Sequence, residues 1–195
     1  EVDGVSIEHH DETIISSKER KFVISSVLNN TLVDKKFLST LKKFASHNSA
    51  KLQLVPVRYI INTDGEGVEY PVESLPYLIE NNLILEHGKV KILGGLRISA
   101  TAENPFSGID PMSKGYSLII GHPQVQMRTL PVLNTEETPP PILFTTGTVS
   151  LNSYSDTKLG YKATFNHSQS ALFVHVKSDG TLLIRNLNWD GEGFY

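Results

Sequence analysis

The sequence predicts an α/β protein: a Rossmann-like βαβ core with a mixed sheet and a β-rich antiparallel C-terminal extension. Three patterns lead to this class. An apolar, β-branched run, an amphipathic segment and a second apolar run follow one another between residues 22 and 57. From residue 83 onward, short apolar runs separated by turn residues are typical of strands. Two such runs near the end of the sequence flank a three-residue turn, which predicts an antiparallel hairpin.

The βαβ unit has the clearest pattern. Residues 22–27 are apolar and β-branched, and predict a buried strand. Apolar residues at helical spacing over 33–45, with lysines on the opposite face, predict an amphipathic helix. Thr31 and Asp34 have a capping-box-like spacing, so we expect the helix to begin there. Residues 52–57 predict a second strand, parallel to the first because the crossover between them is a helix.

The rest of the chain is predicted to consist mainly of strands and turns. We expect a short strand at 13–15, a loop at 62–67, a short helix interrupted by Pro76 within 72–82, a hairpin of 83–86 with 89–93 that residues 94–98 extend, a strand at 116–120 paired with an exposed strand in 124–132, and a hairpin of 170–177 with 181–188. Residues 1–17 are interpreted as an acidic lead-in arm and residues 18–195 as a single α/β domain. Because the sequence begins with Glu1 rather than Met, we expect it to be a fragment of a longer chain.

Composition excludes several classes of protein. The sequence is 39% hydrophobic and 20% charged, as in ordinary globular domains. It has no apolar run of about 18 residues, so we predict no membrane span. It has no cysteine, which excludes disulfides and thiolate zinc sites. The net charge of −3 gives no overall attraction to nucleic acid.

Residues 139–167 change from an apolar run into a segment rich in hydroxyls, amides and tyrosines. A connection of that length without an evident helix is usually functional or disordered. Its apolar residues argue against disorder. We therefore expect an ordered binding loop that faces a polar, anionic partner; the alternative is a structured surface hairpin without a ligand.

Ligands of open α/β sheets bind beyond the carboxyl ends of the strands. The predicted βαβ unit places residues 29–31 at that edge, next to Arg58 and Tyr59. Helix capping is the alternative role for residues 29–31. The GxGxxG and GxxxxGK[ST] motifs are missing, which disfavours dinucleotide and nucleotide triphosphate sites.

Histidines offer the remaining candidates for chemistry. Of the seven histidines, His122 and His167 each lie in a polar loop at the end of a predicted strand. A hydrogen-bonded loop histidine is the alternative for both. No histidine belongs to an HExxH, DxH or GHxH motif, and no GxSxG is present. The sequence therefore shows no complete active site, and we predict no catalytic residue and no metal ligand.

Four blocks in order carry a resemblance to a known family. They are KFVISSVLNNTLVDKKFLSTLKKFASHNSAKLQLVPVRY, GGLRISATAENPFSGID, GHPQVQMRTLPV and TTGTVSLNSYSDTKLGYKATFNHS, which together lie within residues 21–189. In these blocks the chain resembles the amino-terminal α/β region of large tailed-phage proteins that carry a carboxy-terminal calcineurin-like metallophosphoesterase domain. Phage pre-early DNA-transfer and host-takeover nucleases are the related functional type.

The resemblance implies a DNA-engaging or regulatory, non-catalytic part of a metal-dependent phage nuclease or phosphodiesterase. Such a protein would act in the host bacterial cytoplasm and would use Mn or Mg. The DxH, GDxxD, GNH and GHxH motifs of metallophosphoesterases are absent here, so no cofactor is expected in this segment and its own enzymatic activity stays open. The alternative is an interaction module that binds a host protein or assembles into a homo-oligomer, without a role in nucleic-acid binding.

The residues predicted to bind nucleic acid or another anion lie on several loops. They are Arg58, Tyr59, Arg97, Asn104, His122, Thr146, Tyr154, Lys158, Lys162 and His167. Arginine and lysine would contact phosphates, whereas tyrosine could stack on exposed bases. We expect loops leaving one edge of a mixed sheet to gather Arg58, Arg97 and Lys158 into a single charged pocket.

Overall fold

The computed structural model describes residues 6–7, 11–16, 20–58, 69–79, 81–131 and 139–195. Strands predominate in these ranges. They are β1 (Ser6–Ile7), β2 (Glu12–Ile15), β3 (Arg20–Leu28), β4 (Lys51–Val57), β5 (Asn82–Leu85), β6 (Val90–Leu93), β7 (Leu96–Arg97), β8 (Ser117–Ile120), β9 (Met127–Thr129), β10 (Ile142–Thr145), β11 (Ser170–Val176) and β12 (Leu182–Asn188). The helices are α1 (Lys35–His47) and α2 (Lys158–Asn166), with 3₁₀ turns at Leu75–Tyr77 and Asp110–Met112.

A four-stranded mixed sheet contains the predicted βαβ unit. Its strand order is β12-β11-β3-β4, and β3 runs parallel to β4 with α1 between them in the chain. The C-terminal hairpin of β11 and β12 adds to the free side of β3, because β11 pairs antiparallel with it. The α/β class and its antiparallel C-terminal extension are therefore confirmed.

A second sheet of six strands has the order β2-β5-β6-β8-β10-β9. It is also mixed: β6, β8 and β10 are parallel to one another, whereas β5 and β9 run antiparallel to their neighbours β6 and β10. Strand β2, which lies within the predicted acidic arm, pairs parallel with β5. Strands β1 and β7 form a separate antiparallel pair. The sequence predicted one mixed sheet, and the structure divides the strands between two large ones.

The two large sheets pack face to face over a common apolar core. Phe22 and Ile24 from the four-stranded sheet meet Ile92 and Ile119 from the six-stranded sheet in this cluster. Close contact of the sheets depends on Gly121, directly after β8. A Cβ there would lie 2.6 Å from Val55 Cγ1, closer than side-chain carbons approach.

Each sheet is covered on its outer face by a different kind of element. The apolar stripe of α1, including Phe37 and Leu41, packs on the four-stranded sheet together with Trp189. Residues 98–112 cover the six-stranded sheet, with Phe106 and Ile109 buried against it. The layers are therefore helix, sheet, sheet and loop.

Several element predictions are confirmed: the strands at 13–15, 22–27, 52–57 and 116–120, and the hairpins of 83–86 with 89–93 and of 170–177 with 181–188. The predicted start of α1 is wrong. Asp34 is the N-cap, with Oδ1 accepting from the Phe37 N–H at 2.9 Å. Thr31 instead donates its hydroxyl to the Leu28 carbonyl at 3.0 Å. The loop predicted at 62–67 lies outside the described residues.

Three further predictions need correction. Residues 94–98 do not extend β6, because the chain bends at Gly94 and β7 pairs with β1 instead. Strand β9 pairs with β10 and not with β8, since β10 lies between them in the sheet. Of the helix predicted within 72–82, only the 3₁₀ turn Leu75–Tyr77 forms.

The stretch 139–167 was predicted to lack a helix, and this is wrong because it contains α2. Thr157 is the N-cap, and its Oγ1 accepts from the Gly160 N–H at 3.1 Å. Lys158 and Lys162 consequently lie on a helix and not on a loop. Residues 145–150 of the stretch are buried between other elements.

Candidate nucleic-acid interface

A buried crossing segment, residues 146–150, leaves β10 and runs past the carboxyl end of β3. Its backbone is held by β3 through the Val149 N–H, which donates to the Ser26 carbonyl at 2.8 Å. The Ser26 hydroxyl in turn donates to the Gly147 carbonyl at 2.6 Å. Ser150 Oγ accepts from the Leu28 N–H at 2.8 Å. Because the Thr146 N–H also donates to the Ile120 carbonyl in the other sheet, the segment ties the two sheets together.

Thr146, a predicted binding residue, is fully buried in this crossing segment. Its Oγ1 donates to the Gly147 carbonyl at 2.7 Å, so the hydroxyl is used inside the protein. Gly147 follows with a φ of +68°, where a Cβ would overlap Ser170 Oγ. The first polar residues after β10, which suggested a binding loop, are therefore buried and bonded within the protein.

His122, the second buried candidate, has both ring nitrogens engaged. Nε2 donates to the Ser99 carbonyl at 3.1 Å, and Nδ1 accepts from the Gln124 N–H at 3.1 Å. This pairing requires a neutral ring, because a proton on Nδ1 would face the N–H of Gln124. Burial lowers the pKa of His122 to about 4, and the bond that Nε2 donates to the Ser99 carbonyl partly offsets this shift. His122 fastens residues 99–101 to the end of β8.

His167 forms a hydrogen-bonded pair with Tyr154. Nε2 of His167 donates to the Ser150 carbonyl at 2.9 Å, since a carbonyl can only accept. Nδ1 is then the acceptor for the Tyr154 hydroxyl at 2.8 Å. Burial lowers the pKa of His167, and its bond to Ser150 partly offsets this. The two predicted residues therefore lie together and support each other.

Tyr154 is also the point where the ends of several elements meet. Its side chain packs against Leu28 at the end of β3, Val57 at the end of β4 and Ala100 in the loop after β7. The ends of β3 and β4 and the loop after β7 therefore meet at Tyr154, which itself follows β10 of the six-stranded sheet. Helix α2 begins four residues after Tyr154.

The outward side of α2 presents a row of alternating cations and aromatic rings. Lys158, Tyr161, Lys162 and Phe165 follow the spacing i, i+3, i+4, i+7, which places them on one face of a helix. Tyr161 is 60% exposed and Phe165 is 91% exposed. We name these four residues the α2 row. Tyr161 and Phe165 were missed, although the helical spacing after Thr157 could have revealed them.

An ion pair joins the α2 row to the loop between β7 and β8. Lys162 Nζ contacts the Glu103 carboxylate, and both side chains are largely exposed. The hydrogen bond and the charge of Lys162, with a smaller contribution from Lys158, hold the pKa of Glu103 below its ordinary value. The adjacent Asn104 is exposed, and its Oδ1 accepts from the Phe106 N–H at 3.2 Å in a turn.

The predicted arginines and Tyr59 are placed less completely. Arg58 is exposed directly after β4 and lies beside Tyr70. Burial raises the pKa of Tyr70, and the charge and hydrogen bond of Arg58 oppose that shift. The backbone of Arg97 forms part of β7, but the structure does not describe its side chain. Tyr59 lies outside the described residues. The expected single charged pocket therefore stays a prediction.

An open groove of about 940 Å³ lies near Arg58, at the carboxyl end of β3. Asn30, Leu32, Tyr70 and Asn152 are among the residues that line it. It occupies the position at which the sequence predicted a ligand next to residues 29–31. Its lining mixes apolar and amide side chains, and it contains Glu69 as its one charged residue among those described.

A catalytic metal centre does not fit the described residues. Within them, no group of three or more His, Asp or Glu side chains lies close enough together to hold an ion. None of the helices in the described part of the chain is long and apolar enough to cross a membrane.

Fold and site together define a mixed α/β domain of two packed sheets, with polar loops and a lysine- and aromatic-bearing helix at one edge. Over 178 residues, or 86% of this chain, the sequence is 28% identical to Protein A1 of Escherichia phage T5. The match covers 31% of that protein, so this chain spans about a third of its relative's length. No protein-family description matches the chain, and no solved structure matches it. The similarity is thus to a phage protein.

Proposed function

We propose that this chain is a non-catalytic, DNA-engaging domain of a phage metal-dependent nuclease or phosphodiesterase that acts in the cytoplasm of the infected bacterium. The observation that carries the proposal is the α2 row, in which two lysines alternate with two exposed aromatic rings. The similarity to a phage protein is in keeping with it. The finer roles, in DNA transfer and host takeover, belong to the same proposal.

The chemistry of the α2 row suits a nucleic acid. Lysine side chains neutralise phosphates, and exposed aromatic rings stack on unpaired bases. Residues four apart are about 6 Å apart along a helix axis, so Tyr161 and Phe165 can each accept a base. Asn104 follows Glu103 in the chain, and the charge of Lys158 also acts on the Glu103 carboxylate.

Glu103 opposes this function in the free protein. Its carboxylate pairs with Lys162, so a phosphate must displace it to reach that lysine. An exposed ion pair contributes little to stability, so an entering phosphate can replace it. A substitution that removes the Glu103 charge should therefore strengthen DNA binding, whereas substitutions at the lysines should weaken it.

Reversing the charge of both lysines should abolish most DNA binding. We expect Lys158→Glu with Lys162→Glu to weaken affinity for an oligonucleotide at least tenfold. The plot of log affinity against log salt should become flatter by about 1 to 2 units, because two phosphate contacts no longer release counterions. Fluorescence anisotropy between low and moderate salt measures both quantities.

Matched variants make this test specific. Lys43→Glu with Lys51→Glu makes the same charge change at two exposed lysines elsewhere, and should alter affinity much less. Glu103→Gln should raise affinity several-fold, because it frees Lys162 and removes a like charge from the phosphate site. Tyr161→Ala with Phe165→Ala should lower affinity and leave the salt slope unchanged. Equal losses in the α2 and control lysine variants would show that the proposal is wrong.

A second function is favoured by one observation: Phe165 and Leu159, both on α2, are unusually exposed for large apolar side chains. A protein interaction module that contacts a host factor would use such side chains as anchors. Nuclease-treated host lysate separates the two functions. A protein captured by the parent chain and lost in Phe165→Ser, together with undetectable DNA affinity, would favour the interaction module.

The parent nuclease would require a divalent metal, Mn or Mg. The residues described here offer no suitable group of ligands, so no catalytic step is assigned to them. In this proposal the domain positions DNA, and the ligands of the metal belong to another part of a longer protein.

A further inference from the structure

We propose that the free edge of β12 pairs with β12 of a second copy of this chain, which joins two four-stranded sheets into one continuous sheet. This inference is independent of the proposed DNA binding. It begins with the position of β12 at the end of the strand order β12-β11-β3-β4.

In β12, the backbone N–H and C=O groups of every second residue point away from β11. The Lys177 N–H donates to the Thr181 carbonyl, so Thr181 faces the partner strand and the next residue, Leu182, faces away from it. At the other end, Asn188 exchanges bonds with Tyr195 on the outer side, at 3.2 and 3.4 Å. Between these points the N–H and C=O groups of Leu182, Ile184 and Asn186 therefore face outward.

These outward groups have no backbone partner among the residues that the structure describes. An exposed row of unpaired strand groups is a template for another strand. Tyr195 already occupies one end of this edge by pairing with Asn188. The edge is therefore shaped to accept a strand alongside the positions that Tyr195 leaves open.

The other outer edges of the two large sheets are blocked or charged. In β4, Pro56 cannot donate, and the Leu54 carbonyl accepts from the Ile79 N–H at 3.0 Å. The outer strands of the six-stranded sheet, β2 and β9, carry Glu12 and Arg128. In contrast, β12 has one charged residue in seven, Arg185. Charged residues and proline usually prevent an edge strand from pairing with another chain, and β12 has no proline and only one charged residue.

An apolar groove of about 580 Å³ continues from this edge across the face of the sheet. Helix α1 covers only part of that face, so Phe44, Phe173, Leu183 and Phe194 line the groove. Leu183 is 46% exposed. In an antiparallel pair related by a two-fold axis at Ile184, the grooves of both copies adjoin on the same side of the joined sheet. The second copy would remove apolar surface from water at this seam.

Charge favours this register between two copies. A two-fold axis at Ile184 sets Leu183 of one copy opposite Arg185 of the other, on the groove side of the sheet. Leu183 and Arg185 share that side because they pair with His175 and Phe173 of β11. The two arginines consequently do not oppose each other, and the central pair is Ile184 with its own copy. An isologous contact of this kind closes as a dimer and does not propagate.

A charge-swap experiment tests the register. Leu183→Lys would place a lysine opposite Arg185 of the second copy, and we expect dimer affinity to fall about tenfold. Adding Arg185→Glu to that variant creates two opposite-charge pairs across the axis and should restore the dimer. Analytical ultracentrifugation of the whole chain over a range of concentrations measures the affinities. Leu75→Lys, which makes the same change at another exposed leucine, is the matched control and should leave the affinity unchanged.

A second measurement does not depend on the folding of any variant. Hydrogen exchange of the Leu182, Ile184 and Asn186 amides in the parent chain should slow as the protein concentration rises, because these N–H groups become bonded in the dimer. A chain that stays monomeric at all accessible concentrations would overturn the proposal. So would a dimer that Leu183→Lys leaves intact, or one in which the double variant is no tighter than Leu183→Lys, since a different surface would then be in contact.

Discussion

At the scale of single residues, His122 contributes to the stability of the fold through its two hydrogen bonds. The ring is buried and neutral, with Nε2 bonded to Ser99 and Nδ1 to Gln124. Protonation would break the second bond and bury a charge. The sequence proposed His122 as an anion-binding residue, a role that needs a ring N–H that is free to donate. The geometry suits its alternative role, a hydrogen-bonded loop histidine.

We predict that this histidine makes stability depend on pH. The folded pKa of about 4 lies below the ordinary value of 6.5, so the unfolded state binds more protons between these values. Its contribution to the free energy of unfolding is complete above pH 6.5 and is lost as the pH falls towards 4. The loss should be about 3 kcal/mol. Urea unfolding of the parent and of His122→Asn across this range measures it.

The variant should lose stability at pH 7 and show a shallower decline on acidification. Some decline should persist, because burial lowers the pKa of His167 as well and therefore acts in the same direction. Parallel curves for parent and variant would contradict the role assigned to His122.

At the scale of elements, the N-terminus of each helix is capped by a single side chain, a carboxylate for α1 and a hydroxyl for α2. Asp34 caps α1 and Thr157 caps α2. Asp34 also accepts from the Gln169 side chain through Oδ2 at 3.3 Å, which links α1 to the start of β11. A helix whose apolar face covers a sheet is stabilised mainly by that packing, and the cap decides where it begins.

Removal of the α1 cap should cost measurable stability. We expect Asp34→Ala to lower the free energy of unfolding by about 1 kcal/mol, because the Phe37 N–H loses its acceptor. Asp34→Asn keeps a side-chain oxygen at the same place and should cost much less. Chemical denaturation compares the three proteins. Equal losses in both variants would indicate that charge, and not the cap bond, is the important property.

At the scale of the whole molecule, stability depends on how closely the two large sheets approach. Gly121 lies against Val55 and Val57, where the end of β8 crosses β4. The buried crossing segment binds both sheets at the same side. The surfaces proposed for DNA and for a second copy lie on different elements, α2 and β12, so the two functions can be tested separately.

Size complementarity at this contact can be measured by a double-mutant cycle. Gly121→Ala should destabilise by about 1–3 kcal/mol through overpacking against Val55. Val55→Ala alone should also destabilise, because it leaves a small cavity. Together they should cost less than the sum of the single changes, since the new methyl group fills the space that Val55 vacates. Strict additivity would mean that the sheets separate locally to accept the methyl group.

The sequence by itself determined the elements whose pattern is local. The β3-α1-β4 unit and the β11-β12 hairpin follow from periodicity and turn residues, which depend on neighbours a few positions away. It also placed Tyr154 and His167 in one polar stretch that follows a buried strand. It missed α2, since the cap Thr157 is one hydroxyl residue among many in a polar stretch.

Only the tertiary structure decided which strands became neighbours and which polar groups were buried. Strand β10 lies between β8 and β9, and the backbone of Thr146 is bonded to β8 and β11, because contacts distant in sequence determine both outcomes. A hydroxyl has the same chemistry in a loop and in a core, so its sequence alone cannot tell whether a ligand or the protein's own backbone is its partner. The exposed α2 row and the free edge of β12 likewise become visible only when the rest of the chain has folded around them.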